Sequence, residues 1–341
     1  MGLFDLRPKS LRSELFDREE ELDVLHRALE RGYPLTVLMG IRRVGKTSLL
    51  KTFLNEVSGV YIDVRGVYRR SDLEFRVSDA LNESSRRIKK FLEGIRGISV
   101  SGFSVEIKWR GRDSISFIGL LEELNKKKEK FVVALDEVQT ARPPLSAEIR
   151  GALAYAYDNL ENIVFIVAGS EMGMLRDFLK AGDPSSPLYS RHLHEVVVRR
   201  FTREESVEFL MRGFREEGVE PPEEVVEESV EFFDGVVGWL VLFGRRYVDG
   251  FRDLRSLKEM AIQLSREELE KLGPREKMAL KAIASGCKSW SAVRDYVLEH
   301  SGVAMPKSTL SRIIDKLEKL SIIGSYEFLD PVYKEAATRL K

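Results

Sequence analysis

The sequence has little cysteine, histidine and glutamine, and these shortages exclude several kinds of site. It contains one cysteine, Cys287, and four histidines in 341 residues. A single thiol excludes a disulfide framework or a cysteine-based metal site within one chain. The histidines lack a metal-site spacing with carboxylates. Two glutamines among many glutamates, lysines and arginines are typical of proteins from hyperthermophiles.

Long apolar runs and an excess of one charge sign are also missing. No run of about 18 apolar residues is present, which is roughly what a membrane-spanning helix needs. The N-terminal residues lack the apolar segment of a secretory signal, so we expect a cytoplasmic protein without a membrane segment. The 55 basic and 55 acidic residues cancel, and the whole chain therefore gives no electrostatic indication of nucleic acid. Residues 273–341 differ, with 12 Lys and Arg against 8 Asp and Glu, a net charge of +4.

The most informative segment lies between a strand pattern and a helix pattern. Residues 35–39 are typical of a buried strand and residues 48–54 of a helix; the loop between them reads Gly40-Ile-Arg-Arg-Val-Gly-Lys46-Thr47, the Walker A pattern. Glycines in such a loop turn successive N–H groups toward an anion, and the positive end of the next helix lies behind the phosphates. The alternative is a glycine turn that carries a lysine by chance. The strand pattern before the loop and the helix pattern after it argue against this alternative.

This pattern predicts a nucleoside triphosphate, ATP or ADP, with Mg²⁺. Lys46 is expected to contact the β- and γ-phosphates, and the Thr47 hydroxyl to bind Mg²⁺. We expect the side chains of Arg42 and Arg43 to be structural or to face solvent. The predicted nucleotide-binding residues of the loop are Gly40, Arg43, Val44, Gly45, Lys46, Thr47 and Ser48.

An apolar strand that ends in Asp136-Glu137 supplies the second half of the predicted site. Residues 131–135 are apolar, and Asp136 is placed to bind Mg²⁺ through water. Glu137 is placed to orient and deprotonate a water that attacks the γ-phosphate. The alternative is an acidic pair that caps a buried strand. Gln139 is a further candidate for holding the water.

Two more residues are candidates for catalysis, each with a plain alternative. Ser170 follows the strand pattern at residues 163–168. It either senses the γ-phosphate or caps the following helix. Arg191 precedes the last strand pattern, at residues 194–198. It either stabilises transition-state charge, in its own chain or in a neighbouring subunit of a homo-oligomer, or forms a surface ion pair. With Lys46 and Glu137, these two complete the predicted catalytic set.

The strand and helix patterns predict three domains. Short apolar strands alternate with helices through residues 1–200, which indicates an α/β fold with a parallel sheet covered on both faces. Alternating polar and apolar residues near 94–116 predict a β-hairpin inserted in this core. Residues 201–270 are helical only, and Thr202 with Glu205 predicts a capping box at the start. Residues 271–341 form the third unit.

The third unit has the pattern of a winged helix-turn-helix. Three short helix patterns are followed by a hairpin pattern at residues 322–328. Ser308 is predicted to cap the third helix, which would be the recognition helix for double-stranded DNA. Asp315 and Glu318 dilute its positive charge, and docking of a protein partner is therefore the alternative. The predicted DNA contacts are Lys307, Ser308, Thr309, Ser311, Arg312 and Lys316.

Taken together, these motifs make the chain resemble the archaeal ATPase family, a branch of the AAA+-like and signal-transducing P-loop ATPases. The resemblance rests on residues 16–22, the two Walker motifs, Ala168-Gly-Ser170, Pro187-Leu-Tyr-x-Arg191 and the tail Tyr326-x-x-x-Asp330-Pro331. It implies an ASCE core with sheet order 5-1-4-3-2, an all-α lid and a C-terminal winged helix. It also implies that Arg18 packs near the adenine. Related lids often carry Gly-x-Pro or a sensor arginine, whereas this one reads Gly235-Val-Val-Gly238-Trp239, with Arg245 and Arg246 as weak substitutes.

Two functions follow as hypotheses. In the first, ATP hydrolysis repositions a DNA-binding winged helix. In the second, slow or absent hydrolysis leaves a nucleotide-dependent switch, whose protein partner docks on the winged helix.

Overall fold

A five-stranded parallel sheet forms the core of the N-terminal region in the computed structural model, which describes residues 2–102, 104–302 and 305–341. A separate two-stranded hairpin precedes its third strand. The strands of this region are β1 Leu35–Met39, β2 Gly59–Asp63, β3 Ile98–Ser101, β4 Ser104–Ile107, β5 Phe131–Asp136, β6 Ile163–Gly169 and β7 His194–Val197. The sheet order is β2-β5-β6-β1-β7, which is 5-1-4-3-2 when the five strands are counted along the chain, and this confirms the expectation.

Helices cover both faces of this sheet. Alternate residues of β1 point to opposite faces: Leu38 belongs to one apolar cluster and Val37 to the other. Continuous burial on both faces explains why the strands are apolar throughout. The helices of this region are α1 Glu19–Glu30, α2 Lys46–Glu56, α3 Arg70–Asn82, α4 Arg86–Leu92, α5 Phe117–Asn125, α6 Leu145–Asn159 and α7 Met172–Leu179.

The hairpin β3–β4 packs on α3. Its strands are antiparallel, with Val100 opposite Val105. The indole N–H of Trp109 donates to the Ser78 hydroxyl at 2.8 Å, and this bond ties the hairpin to α3. Phe103, between the two strands, lies outside the described residues.

Four helices follow the sheet: α8 Arg203–Glu216, α9 Glu223–Phe233, α10 Val237–Val248 and α11 Leu254–Leu269. The predicted capping box at α8 is confirmed, because the Thr202 hydroxyl accepts from the Glu205 N–H and the Glu205 carboxylate accepts from the Thr202 N–H. The fully buried Phe4 ring packs against Gly213 of α8 and Gly244 of α10. A methyl group at either glycine would lie within 2.4 Å of that ring, so the N-terminal segment is held on these helices.

The C-terminal region is a winged helix-turn-helix with one added helix. Its elements are α12 Pro274–Ala284, α13 Trp290–Ser301, α14 Lys307–Lys319, β8 Ile323–Gly324, β9 Glu327–Phe328 and α15 Pro331–Ala337. The predicted Ser308 cap is wrong. α14 begins at Lys307 because the extended Pro306 takes the N-cap position, without a side-chain cap bond. The division at residues 200 and 270 stays a prediction.

Within the described residues, no helix combines the length and the apolar content needed to cross a membrane.

Candidate nucleotide-binding site

The loop between β1 and α2 has the backbone conformation that its glycines permit. Gly45 has φ of +96° and takes the N-cap position of α2. A methyl group at Gly40 would lie 2.6 Å from the Val198 carbonyl oxygen, so only glycine fits this approach to the chain after β7. The loop is therefore fixed at the carboxyl edge of the sheet, with the N-terminus of α2 directly behind it.

Lys46 lies inside this loop. Its ammonium donates to the carbonyl oxygens of Gly40 and Ile41, each at 2.8 Å, and the residue is 5% exposed. Burial lowers the pKa of Lys46 to about 8, although the nearby carboxylates of Glu137 and Asp136 act in the opposite direction. An anion in the loop would favour the charged ammonium, and this is the arrangement that phosphate binding requires.

Asp136 and Thr47 meet at the edge of the sheet, as predicted. The Thr47 hydroxyl donates to the Asp136 carboxylate at 2.8 Å, and Asp136 is almost fully buried. Burial raises the pKa of Asp136, and hydrogen bonds from Thr47 and Tyr61 partly offset that change. One carboxylate and one hydroxyl are hard oxygen donors of the kind Mg²⁺ prefers, with phosphate and water oxygens completing its coordination.

Tyr61 is a member of this site that sequence reasoning missed. Its hydroxyl donates to the same Asp136 oxygen at 2.8 Å. β2 lies beside β5 in parallel register, with Tyr61 opposite Ala134. The sequence shows a tyrosine in a strand pattern, but it does not show that this strand pairs with the strand that ends in the acidic pair. The contact could therefore be found only once the strand order was known.

Glu137 is held by two polar side chains, those of Gln139 and Ser170. It has a left-handed backbone, with φ of +52°. Its carboxylate accepts from Gln139 Nε2 at 2.6 Å and from the Ser170 hydroxyl at 2.9 Å. Ser170 does not cap α7, whose N-cap is Glu171. A methyl group at Gly169 would lie 2.3 Å from Gln139 Oε1, so this glycine makes room for the glutamine.

A cavity of about 590 Å³ joins these residues to an apolar chamber. Its polar end contains Gly45, Lys46, Thr47, Glu137 and Ser170. Its lining also includes the charged residues Asp5, Arg7, Lys9 and Glu14. The apolar and aromatic side chains of the lining form the apolar end, against which a planar base can pack. These are Leu3, Leu6, Pro8, Leu15, Phe16, Phe201, Phe209, Val237 and Val241.

Arg18 lines the apolar end and is itself buried. It donates to the carbonyl oxygens of Val44 at 3.2 Å and Arg199 at 2.9 Å. Its guanidinium carbon lies 4.5 Å from the centre of the Phe201 ring. Arg18 thus joins the phosphate loop to the chain after β7 beside the proposed base chamber.

The loop arginines reach away from the loop toward the helical region. Arg42 donates to Glu171 at 2.7 Å and to Glu268 of α11 at 3.1 Å. Arg43 also pairs with Glu268, and its guanidinium carbon stacks 4.0 Å from the Trp239 ring centre. Both arginines line the cavity, as does Ser48, whose hydroxyl accepts from the Lys9 N–H at 3.1 Å.

Glu268, the partner of both loop arginines, also contacts the C-terminal region. The Tyr333 hydroxyl of α15 donates to Glu268. Gly238 contacts the loop directly, because its N–H donates to the Arg43 carbonyl at 2.8 Å. The N-terminal end of α10 is therefore attached to the phosphate loop through its backbone. Arg245 pairs with Asp249 and Glu217 and does not line the cavity in the described part of the chain.

Arg191 lies outside this cavity. Its guanidinium donates to the Asp158 carboxylate at 3.0 and 2.5 Å and also to the Pro187 carbonyl. The residues described as lining the cavity do not include it. The structure therefore gives Arg191 an ion pair in its own chain, and its role in a neighbouring subunit stays a prediction.

The proposed DNA-contacting helix α14 has one open end and one packed end. Lys307, Ser308 and Arg312 are exposed near its N-terminus. Lys316 pairs with Glu276 at 2.7 Å. Lys319 pairs with Asp177 of α7 at 3.0 Å, so the C-terminal end of α14 docks on the sheet-containing region.

Comparisons with known proteins agree with this geometry. A model of the ATPase domain found predominantly in Archaea matches residues 15–243, and one of the C-terminal winged helix-turn-helix domain of MCM proteins matches residues 274–336. A Walker-type ATPase of Pyrococcus abyssi is 39% identical and superposes with a TM-score of 0.85, over 98% of this chain and 99% of that one. No curated protein matches this sequence.

More distant structures share the fold. Cdc6p from Pyrobaculum aerophilum is 17% identical with a TM-score of 0.51, over 93% of this chain and 89% of that one. The ADP form of the Aeropyrum pernix ORC2 protein is 16% identical with a TM-score of 0.55, over 94% and 89%. The archaeal family model covers more than half of the chain and includes both the phosphate loop and Asp136-Glu137. The chain belongs to the family of ATPase domains found predominantly in Archaea, and it carries a C-terminal winged helix.

Proposed function

We propose that this ATPase hydrolyses ATP with Mg²⁺ and that its nucleotide state repositions the winged helix on double-stranded DNA. Thr47 and Asp136 would hold Mg²⁺, which would neutralise phosphate charge. Glu137 would orient the attacking water and take its proton, while Ser170 and Gln139 keep its carboxylate in place. Lys46 and the loop N–H groups would bind the β- and γ-phosphates.

One observation carries the proposed coupling: Glu268 is shared by the phosphate loop and the winged helix. Arg42 and Arg43 contact its carboxylate from the loop, and Tyr333 contacts it from α15. Phosphates near the loop would compete with Glu268 for the two arginines. Without those ion pairs, Glu268 would be held less firmly, and so would the Tyr333 hydroxyl that donates to it. Nucleotide binding would in this way loosen the attachment of α15.

Phosphate release by the full chain with Mg-ATP tests hydrolysis, with Glu137→Gln as the matched variant. Loss of a general base is expected to slow release by roughly 100-fold or more, while ATP binding is retained. Salt-dependent retention on duplex DNA, with and without ATP, tests the second half. Equal phosphate release by the two proteins would contradict the role of Glu137.

The packed end of α14 favours a second candidate, a nucleotide-dependent switch with a protein partner and little turnover. Lys316 and Lys319 are both paired, which reduces the charge available to DNA. If DNA retention is absent at low salt in every nucleotide state, this candidate replaces DNA binding.

A further inference from the structure

Arg65 lines the nucleotide cavity and has no part in the site as described so far. It follows β2 directly beside the acidic pair. The Val64 N–H donates to the Asp136 carbonyl at 3.0 Å, and the Val64 carbonyl accepts from the Thr140 hydroxyl at 3.3 Å. These two bonds fix the backbone next to Arg65 against the segment that carries Glu137. The Arg65 side chain therefore leaves the backbone near Glu137, at the end of the cavity where the attacking water would lie.

The guanidinium of Arg65 is held by a partner that it can leave. It pairs with Asp63, with Nε 3.0 Å from Oδ1 and a terminal nitrogen 2.6 Å from Oδ2. The Arg65 side chain is 63% exposed. The Asp63 side chain is less exposed, at 25%, but water still reaches the guanidinium and screens part of its attraction to Asp63, so a multiply charged phosphate can compete for it. Arginine also binds phosphate oxygens through two parallel N–H groups.

The other arginines that line the described cavity are held elsewhere. Arg18 is buried and donates to backbone carbonyls. Arg42 and Arg43 pair with Glu268, and in the proposed coupling their exchange between Glu268 and phosphate serves the link to α15. Arg7 pairs with Asp5, in the N-terminal segment at the apolar end. Arg65 thus combines a position next to Glu137 with a side chain that is itself 63% exposed.

We propose that Arg65 is a catalytic residue that leaves Asp63 and contacts the γ-phosphate of ATP from within the same chain. This inference rests on the proposed hydrolysis. In that step the water oxygen bonds to the γ-phosphorus, and the bond from that phosphorus to the bridging oxygen breaks. The electron pair of the broken bond stays on ADP, and a water proton passes to Glu137. Arg65 stabilises the negative charge on the γ-phosphoryl oxygens, a role that Arg191 does not fill from its position beside Asp158.

The test compares Arg65→Ala with wild type in the full chain. Phosphate release is expected to fall at least about 100-fold in kcat, as for other arginines that stabilise phosphoryl transfer, with a smaller change in KM. ADP affinity should be unchanged, because ADP lacks the γ-phosphate. The affinity for ADP with aluminium fluoride, which mimics the transferring phosphoryl group, should fall with kcat. Arg65→Lys should recover part of the loss, since it keeps the charge without the two-pronged geometry.

Arg69→Ala is the matched control, because Arg69 is an exposed arginine four residues away that does not line the described cavity. It should behave as wild type. Asp63→Asn frees Arg65 and should leave kcat unchanged or raised. Thermal melts of each variant exclude unfolding as the cause, and Arg65→Gln replaces the alanine variant if that one fails to fold.

Wild-type kcat in Arg65→Ala would overturn the assignment, as would equal weakening of ADP and ADP–aluminium fluoride. These outcomes differ from failure of the proposed function, in which the wild type itself releases no phosphate. If turnover is absent, the difference between ATP and ADP affinity replaces kcat: Arg65→Ala should reduce this difference, and an unchanged difference overturns the inference.

Discussion

The indole N–H of Trp239 donates to the carboxylate of Asp330 at 2.9 Å, although 91 residues separate them. Both residues are buried. Trp239 belongs to α10 and stacks with Arg43 of the phosphate loop, while Asp330 caps α15 through a 2.9 Å bond from the Val332 N–H. Asp330 therefore caps α15 and also fastens that helix to α10.

Asp330→Ala should destabilise the protein through this pair. It removes the cap of α15 and leaves the buried Trp239 N–H without an acceptor, a combined loss of roughly 2–4 kcal/mol in the free energy of unfolding. Asp330→Asn keeps an acceptor oxygen and should lose less. Urea unfolding followed by tryptophan fluorescence measures both. Asp295→Ala, at an exposed site of α13, is the control and should leave the midpoint in place.

Lys46→Ala should weaken the binding of ATP and ADP by about 100-fold in Kd. Its buried ammonium lies inside the loop, and a charge-assisted contact with phosphate contributes roughly 3 kcal/mol. ATP and ADP titrations by calorimetry measure the effect. Lys126→Ala, an exposed lysine paired with Glu123, should bind as wild type. Unchanged ATP binding by Lys46→Ala would refute the site.

Glu268→Gln should loosen the C-terminal region without nucleotide. The change weakens three contacts at once, to Arg42, Arg43 and Tyr333. Losing about 1.4 kcal/mol would speed amide exchange in α15 about tenfold. Hydrogen-exchange mass spectrometry with and without ATP reads this directly. The ATP-dependent difference seen in wild type should shrink in the variant.

Glu267→Gln is the control for that experiment. Glu267 is the neighbouring residue on α11 and accepts from Gln263 at 2.9 Å, away from the loop arginines. The amide hydrogen exchange of the Glu267→Gln variant should match that of wild type. If Glu268→Gln exchanges as slowly as wild type in α15, the shared carboxylate does not hold the C-terminal region, and the proposed coupling loses its route.

The sequence predicted those parts of the molecule that depend on neighbouring residues. The strand, loop and helix around Lys46 form one continuous pattern, and Asp136-Glu137 ends an apolar strand, so both motifs could be found without knowing the fold. Tyr61 and Glu268 could not. Tyr61 meets Asp136 only once strand order is fixed, and Glu268 meets Arg43 across 225 residues of sequence. Such pairs depend on packing between elements, about which local periodicity carries no information.

The start of α14 shows a different limit of sequence reasoning. Ser308 has the side chain of a helix cap, and the pattern favoured it over its neighbours. Pro306, two residues earlier, already has the extended backbone of an N-cap, and Lys307 begins the helix. The backbone restriction of proline outweighed the capping preference of serine. The helix therefore begins at Lys307, one residue before the predicted cap.

Arg312→Ala and Lys307→Ala should weaken duplex DNA binding if the open end of α14 contacts phosphates. Each lost phosphate contact should reduce the slope of log K against log salt by about 1. Fluorescence anisotropy over a range of salt concentrations measures that slope. Lys258→Ala is the control, because Lys258 of α11 pairs with Glu228 of α9, outside the winged helix. Slopes that stay equal to wild type in both variants would remove α14 from the DNA interface and leave protein docking as its role.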